Sequence, residues 1–420
     1  MTTASPRTGQ EPPSLRGAPW LELPATRAVL AALAAAGFEG RIVGGTVRNT
    51  LMGLPVSDID IATPAPPRVV VEACRKAGLA TVPTGLEHGT VTVVAHRTPI
   101  EVTTLRRDVS TDGRRATVAF TDDWGEDAGR RDFTMNALYC DGEGRIYDPI
   151  GGYPDLASRR VRFIGNPDRR IAEDYLRILR FFRFHAAYAE GDPDPDAMAA
   201  CARGIAGMGL LSAERIRAEL VRLLVAKGAV TAVEAMAQVG LLPLVLGAAP
   251  RPGVLAAVAA AEARAKCPAE AMLRLSALAV AVEDDIPRLA ARLRLSGDER
   301  KALLVIDGAM LDGLGTIDAR RARRMVYGKG RDASRRGAIA LAALAPGRAG
   351  EAATLLATAV GWQPPRLSVA GADVVALGVP PGPAVGALLR RLEQWWVEND
   401  FPGEPETRAR LDEIVSGLCG

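Results

Sequence analysis

The stretch from Arg41 to Ile61 reads Arg-Ile-Val-Gly-Gly-Thr-Val-Arg-Asn-Thr-Leu-Met-Gly-Leu-Pro-Val-Ser-Asp-Ile-Asp-Ile, and it sets the architecture of the N-terminal third of the chain. Residues 41–43 are β-forming, the paired glycines Gly44 and Gly45 end the strand, and the residues after them suit a helix. Glycine lets the backbone approach a ligand closely, and the free N–H groups of a helix start attract anions. Arg48, one turn further on, reaches the same place. The alternative is a plain tight turn. Asp58 and Asp60 stand two apart in a second β-forming run, so both carboxylates share one face while Ile59 and Ile61 take the other. Two carboxylates that close repel unless a cation sits between them, and Mg²⁺ with oxygen ligands is the natural occupant. A solvated strand end bearing two acids is the competing reading.

Working outward, a helix at 26–36 precedes this stretch, and strands at 91–95, 100–105 and 137–139 follow it, predicting an α/β domain between Leu23 and Asp148. Glu101, among β-forming residues, can complete the acidic pair from a neighbouring strand or face water on an edge. Residues 106–130 read as a long, strandless, charged loop, functional or simply a solvated insertion. Arg130-Arg-Asp-Phe-Thr-Met-Asn136 combines cations suited to a triphosphate with Asp132 and Asn136, whose side chains can bond a ribose hydroxyl. A buried salt bridge anchoring the last strand explains the same residues. Glu173-Asp-Tyr-Leu-Arg-Ile-Leu-Arg-Phe-Phe-Arg-Phe184 reads as a helix with Asp174, Arg177 and Arg180 along one face and Leu176, Leu179 and Phe182 packed on the body. A carboxylate and a guanidinium held by such a helix offer an acceptor and a donor fork to a base edge; an exposed face of ion pairs is the alternative.

Beyond Pro149 the Ala-, Leu- and Arg-rich text predicts helices only, with breaks near residues 191–195, 247–253, 328–330 and 363–365. At 420 residues the chain exceeds what one hydrophobic core supports. A net charge of +3 rules out an all-over basic surface, so nucleic acid would meet local patches. Five of the 52 cationic side chains are lysines and 47 are arginines, the better bidentate phosphate ligand, although GC-rich codon usage gives the same skew. The five cysteines have neither paired nor zinc-like spacing, so a reducing compartment is expected. Residues 1–22 read as a disordered lead-in without a secretory leader, and no apolar run is long enough to span a membrane, which together predict a soluble, cytoplasmic protein.

In this order, the glycine motif, the acid pair, the Arg-Arg-Asp segment and the Glu-Asp-x-x-Arg segment resemble the class II (bacterial and eukaryotic) CCA tRNA nucleotidyltransferase and poly(A) polymerase family, within the polymerase-β-like nucleotidyltransferase superfamily. Asp148-Pro-Ile-Gly-Gly152, Ser212-Ala-Glu-Arg-Ile-Arg-Ala-Glu219 and Gly378-Val-Pro-Pro-Gly-Pro-Ala-Val-Gly386 extend the resemblance. It implies an α+β fold: a small head with a mixed sheet (23–150), then an elongated all-helical neck (151–227), body (228–330) and tail (331–420). It also implies addition of CCA to tRNA 3′ ends from CTP and ATP, with Asp58 and Asp60, and in one version Glu101, holding two Mg²⁺ ions. Gly44, Gly45 and Arg48 would contact the triphosphate; Arg131, Asp132 and Asn136 would grip phosphate and ribose. Asp174 and Arg177 would select the base, supported by Arg180 and Arg183. Poly(A) synthesis, partial CC or A addition, or a non-catalytic RNA-binding role on the same scaffold are the alternatives. The basic run Arg320, Arg321, Arg323, Arg324, Arg335 and Arg336 would contact tRNA phosphates, and no obligate protein partner is implied. Two departures stand out. Asn49 occupies a position where the family usually has Asp, and with histidine only at 88, 96 and 185 a His-Asp phosphohydrolase domain is not expected.

Overall fold

The structure, a computed structural model, describes residues 11–85, 89–112, 115–306 and 315–417. The chain forms two compact units, Met1–Pro250 with Ala291–Arg294, and Arg251–Ala290 with Leu295–Gly420.

The first unit is built on a seven-stranded mixed sheet: β1 (Arg41–Val43), β2 (Asp60–Thr63), β3 (Ala80–Gly85), β4 (Thr90–Ala95), β5 (Thr98–Thr104), then β8 (Tyr139–Cys140) and β9 (Ile146–Tyr147), in the order β3-β4-β5-β2-β1-β8-β9. Among the described strands only β2 and β5 run parallel, and their register sets Asp60 opposite Glu101. Ile42, Ile61, Val91, Val93, Ile100 and Val102 are fully buried, as expected where alternating β-branched residues give one face to the core. Helices α2 (Pro24–Ala35) and α4 (Pro67–Lys76) pack against each other and against this sheet, behind the short α1 (Pro19–Glu22). Between β1 and β2 lies α3 (Gly45–Leu51). Gly44 before it has φ 70° and ψ −122°, a conformation open only to glycine, which turns the chain sharply from strand to helix.

Three expectations are corrected. Residues 106–130 are not strandless: β6 (Arg106–Asp112) and β7 (Arg115–Phe120) form a separate antiparallel hairpin, followed by α5 (Trp124–Gly129). The β-branched Val109, Thr111, Thr117 and Val118 and the Asp-Gly turn signal outweigh the charges that made the segment read as a loop. The lead-in reading fails for residues 15–22, where Leu15, Ala18, Trp20 and Leu21 are buried and the Leu15 N–H donates to the Gly144 carbonyl at 2.8 Å; residues 1–10 of that lead-in lie outside the described residues. Finally, the segment from Glu173 is not one helix. α7 (Pro167–Glu173) stops, Asp174 is extended, and α8 (Leu176–Tyr188) begins after Tyr175, because the Asp174 carboxylate accepts the Leu176 N–H at 3.0 Å and caps the new helix.

The apolar face of α8 is as the spacing indicated, with Leu176, Leu179 and Phe182 buried. Phe133, ahead of β8, packs its ring tilted against Phe163 at 5.0 Å and Phe184 of α8 at 4.8 Å, fastening the helix to the sheet domain. The close approach behind this joint needs glycine: a Cβ on Gly152 would lie 2.2 Å from the Thr134 carbonyl oxygen. Further helices, α9 (Pro195–Gly204), α10 (Ala213–Leu224), α11 (Ala229–Gln238) and α12 (Leu241–Leu246), complete the unit. The described residues of the second unit are helical, with one apolar cluster around Val326, Leu341 and Leu355 and another around Val374, Leu392 and Leu411. The α+β class is therefore as read.

Candidate active site

A polar cleft of about 540 Å³ opens where the C-terminal end of β1, the start of β2 and the N-terminal half of α8 meet. It is lined by Gly44, Gly45, Arg48, Asp60, Arg131, Asp132, Asn136, Asp174, Arg177 and Arg180, ten of the residues singled out in the sequence. Three others stand apart. Asp58 is exposed and faces a neighbouring cavity, Glu101 is exposed opposite Asp60, and Arg183 turns to Glu219 and the Phe184 ring.

Arg48 is 6% exposed and its hydrogen bonds go to neutral groups: Nε and one terminal nitrogen donate to Asn49 Oδ1 at 3.1 and 2.9 Å, the same terminal nitrogen donates to the Tyr188 hydroxyl at 2.8 Å, and the other terminal nitrogen to Asn136 Oδ1. Burial is the main cause holding its pKa below the ordinary arginine value, with Tyr188 and Asp132 working against it. Asn136 in turn donates to Asp132 Oδ1 at 2.9 Å, and Asp132 Oδ2 accepts the Arg180 guanidinium. Burial would raise the Asp132 carboxyl, but Arg180 and the hydrogen bonds from Asn136 and the Phe133 N–H bring it below the usual range. One chain of contacts thus ties the glycine turn to α8.

Arg131 lies beside Gly44 and donates to the Tyr139 hydroxyl at 3.2 Å and to Asp127 Oδ2 at 2.9 Å. Burial works against its charge, yet Tyr139 and Asp127 hold its pKa above the ordinary value. Asp127, 1% exposed at the end of α5, also takes Arg130, and although burial opposes it these cations bring its carboxyl down to about 2. On the far wall, Asp174 Oδ2 accepts Arg215 of α10 at 2.7 Å, while Arg177 donates to Glu173 and to the Arg170 carbonyl. Sequence reasoning missed Tyr188, Phe184, Asp127, Arg170 and Arg215. Arg215 lay within the quoted Ser212–Glu219 segment, while Asp127 gave no local signal beyond its place before two arginines.

At the acidic strand, Thr46 Oγ1 of α3 donates to the Asp58 carbonyl at 2.6 Å and so sets the approach to β2. Burial raises the Asp60 carboxyl above its usual value, Glu101 and Asp58 add repulsion, and Arg131 opposes them. A carboxylate so placed suits a divalent cation, whose charge would offset both the burial and the repulsion. Among the described residues no three Asp, Glu, His or Cys side chains converge on one point.

The basic run in the second unit is largely engaged within the protein. Arg323 grips Asp400 with Nε at 2.7 Å, Arg320 is 3.8 Å from the same carboxylate, Arg324 donates to the Glu398 carbonyl, and Arg335 and Arg336 each meet Glu270 at 2.8 Å. Arg321 approaches Gly315.

Comparison with known proteins agrees with this geometry. Residues 40–162 match the family described as "Poly A polymerase head domain", and residues 192–251 match "Probable RNA and SrmB- binding site of polymerase A". The CCA tRNA nucleotidyltransferase 1, mitochondrial, of Mus musculus is 33% identical over 381 residues, 90% of this chain and 86% of its own length. The CCA-adding enzyme of Ligilactobacillus salivarius is 40% identical over 201 residues, 47% of this chain and 48% of its own. The crystal structure of Bacillus stearothermophilus CCA-adding enzyme in complex with CTP superposes with a TM-score of 0.70 at 28% identity, covering 94% of this chain and 99% of that one. The head is thus a polymerase-β-like nucleotidyltransferase domain, and this protein is an enzyme. More narrowly, the chain belongs to the class II CCA tRNA nucleotidyltransferase and poly(A) polymerase family. That membership implies dependence on a divalent metal.

Proposed function

We propose that this enzyme adds CCA to tRNA 3′ ends from CTP and ATP without a nucleic-acid template, by attack of the terminal 3′-hydroxyl on the nucleotide α-phosphate with release of pyrophosphate. The observation that carries this reading is one cleft holding a glycine turn, an acidic strand and a carboxylate–guanidinium pair on opposite walls. Gly44 and Gly45 leave room for a triphosphate, and the buried charge of Arg48, bonded only to neutral side chains in the described structure, finds its counter-charge in that anion. Arg131 stands beside the same turn, and Asp132 and Asn136 face the space for a ribose.

Asp58 and Asp60, with Glu101 in register beside them, are the carboxylates that would hold Mg²⁺. Two such ions, when bound, would supply acidity to the 3′-hydroxyl and charge compensation to the phosphates. No protein side chain then has to act as general base. Cytosine and adenine both present an amino donor next to a ring-nitrogen acceptor, whereas guanine and uracil present the reverse. Asp174 as acceptor and Arg177 as donor match the first pattern and clash with the second. Arg180 and Arg183, through Asp132 and Glu219, keep α8 in place. Phosphates of tRNA would be met in the helical second unit by Arg320, Arg321, Arg323, Arg324, Arg335 and Arg336. The proposed compartment is the cytoplasm, on the ground that the described cysteines are all free thiols; among the described residues no helix is long and apolar enough to cross a membrane.

The deciding experiment is extension of a tRNA ending at its discriminator base, with Mg²⁺ and each nucleotide, resolved on a sequencing gel. Two additions with CTP, one more with ATP and then a stop are expected. A long ladder from ATP alone would make the enzyme a poly(A) polymerase. Asp58→Ala should abolish incorporation and leave tRNA binding intact.

A further inference from the structure

Helix α8 puts different chemistry at its two ends. Arg177 stands in its first turn and Tyr188 is its last residue, 13 residues in all and about 20 Å along the axis. Tyr188 meets Arg48 twice. Its hydroxyl accepts a terminal N–H of the guanidinium at 2.8 Å, and its ring centroid lies 4.1 Å from the guanidinium carbon. Phe184, one turn earlier on the same face, packs against the Tyr188 ring at 5.3 Å and is itself buried, which fixes where that ring can stand. Arg48 and Phe184 line the cleft and Tyr188 does not, so its polar contact with the cleft runs through Arg48.

We infer that Tyr188 is a positioning residue for the incoming nucleotide: with hydroxyl and ring it holds Arg48 so that the guanidinium meets the triphosphate at the glycine turn. The inference rests on the nucleotidyl-transfer reading and adds to it the group that aims the phosphate ligand. Of the five N–H groups a guanidinium carries, four are engaged among the described residues, two by Asn49 and one each by Asn136 and Tyr188. The nitrogen shared by Asn49 and Tyr188 is the one beside the turn, 3.6 Å from where a Cβ on Gly45 would lie. An arginine gripped by a carboxylate is well aimed but already neutralised, and has less attraction left for an anion. Neutral acceptors and an aromatic face aim the cation without a direct counter-charge. Asn49 adjoins Arg48 in the chain, whereas Tyr188 lies 140 positions away, so it is Tyr188 that ties this charge to the helix bearing Arg177.

Loss of this hold should act on the triphosphate, which CTP and ATP share, and spare base selection. In Tyr188→Phe the KM for CTP and for ATP should rise together by about tenfold, the scale of a hydrogen bond to a charged group, and in Tyr188→Leu by about threefold more as the ring goes too. Competitive inhibition by inorganic triphosphate, which has no base, should weaken by the same factor. The values of kcat, the KM for tRNA and the rejection of UTP and GTP should stay. Base selection separates this role from a merely structural one, because loosened packing of α8 would also displace Arg177 and raise misincorporation. In an Arg48→Ala background, equilibrium binding of CTP should no longer respond to Tyr188→Phe, since the tyrosine acts through the arginine. A nucleotide KM that is unchanged or lowered in both Tyr188 variants, one that rises only together with misincorporation, or a full Tyr188→Phe effect without Arg48 overturns the positioning role and leaves CCA addition standing. A wild-type enzyme that extends no tRNA overturns the functional reading and this role with it.

Discussion

Arg48 and Asn49 hold adjacent positions with opposite demands. The guanidinium is buried and its pKa is depressed by that burial, while Asn49 offers it one neutral oxygen for two donors and spends its own amide on the Pro55 carbonyl at 2.8 Å. An aspartate there would add charge but lose the Pro55 bond, because a carboxylate cannot donate. The two effects offset each other. Asn49→Asp is therefore expected to change kcat/KM for CTP by less than about tenfold, ~1.4 kcal/mol, in steady-state assays. A larger gain would mean that Arg48 is poorly steered as it stands. At the other wall, Arg177→Ala should relax discrimination against UTP and GTP, read as misincorporation on a gel. Retained selectivity would move base reading to other groups, with Arg215, already on Asp174, the first to test.

At the scale of the element, α5 shows how a short helix supports a site it does not enter. Its last turn presents Asp127 to Arg130, Arg131, the Tyr139 hydroxyl and the Arg106 N–H. With a carboxyl pKa of about 2 against an ordinary 3.8, the folded state holds Asp127 ionised more readily than the unfolded chain does. Its contribution to stability is thus fully present above about pH 4 and disappears as pH falls toward 2, a loss of about 2 kcal/mol. Thermal melts between pH 5 and 2 should show this loss in the wild type and a weaker pH dependence in Asp127→Asn. The asparagine variant should also be less stable near neutrality, by roughly 2 kcal/mol, since two half-buried arginines lose their charged partner.

Strand β2 and the turn before α3 show where the sequence was legible. A period of two placed Asp60 and Ile61 on opposite faces, and a glycine pair between strand and helix told where the chain turns, because both depend on a few adjacent residues. Asp127, Tyr188 and Arg215 were not legible, since their roles come from contacts across 12 to 140 positions in the chain. The break at Asp174 was hidden for another reason. Its neighbours all favour helix, and the local capping bond that stops α7 and starts α8 competes with that propensity by a margin too small to see in composition. The β6–β7 hairpin shows the reverse error, in which charge was read as loop where β-branching ruled.

On the scale of the whole molecule, the arginine-rich composition serves two ends that compete. In the second unit Arg323, Arg335 and Arg336 stitch helices together through Asp400 and Glu270, and an arginine already neutralised inside the protein displaces fewer counterions from RNA. If Arg323 also meets a tRNA phosphate, the phosphate has to take it from Asp400. Removing that competitor separates the two roles because it moves them in opposite directions. Asp400→Asn should lower the melting temperature by a few degrees, corresponding to about 1 kcal/mol for a half-exposed pair. It should also strengthen tRNA binding and steepen the dependence of log K on log salt by up to about 0.9 for each cation released, Arg323 and the more distant Arg320. A lower melting temperature with an unchanged salt slope would assign Arg323 to the fold alone and place the tRNA contact on other cations of the chain.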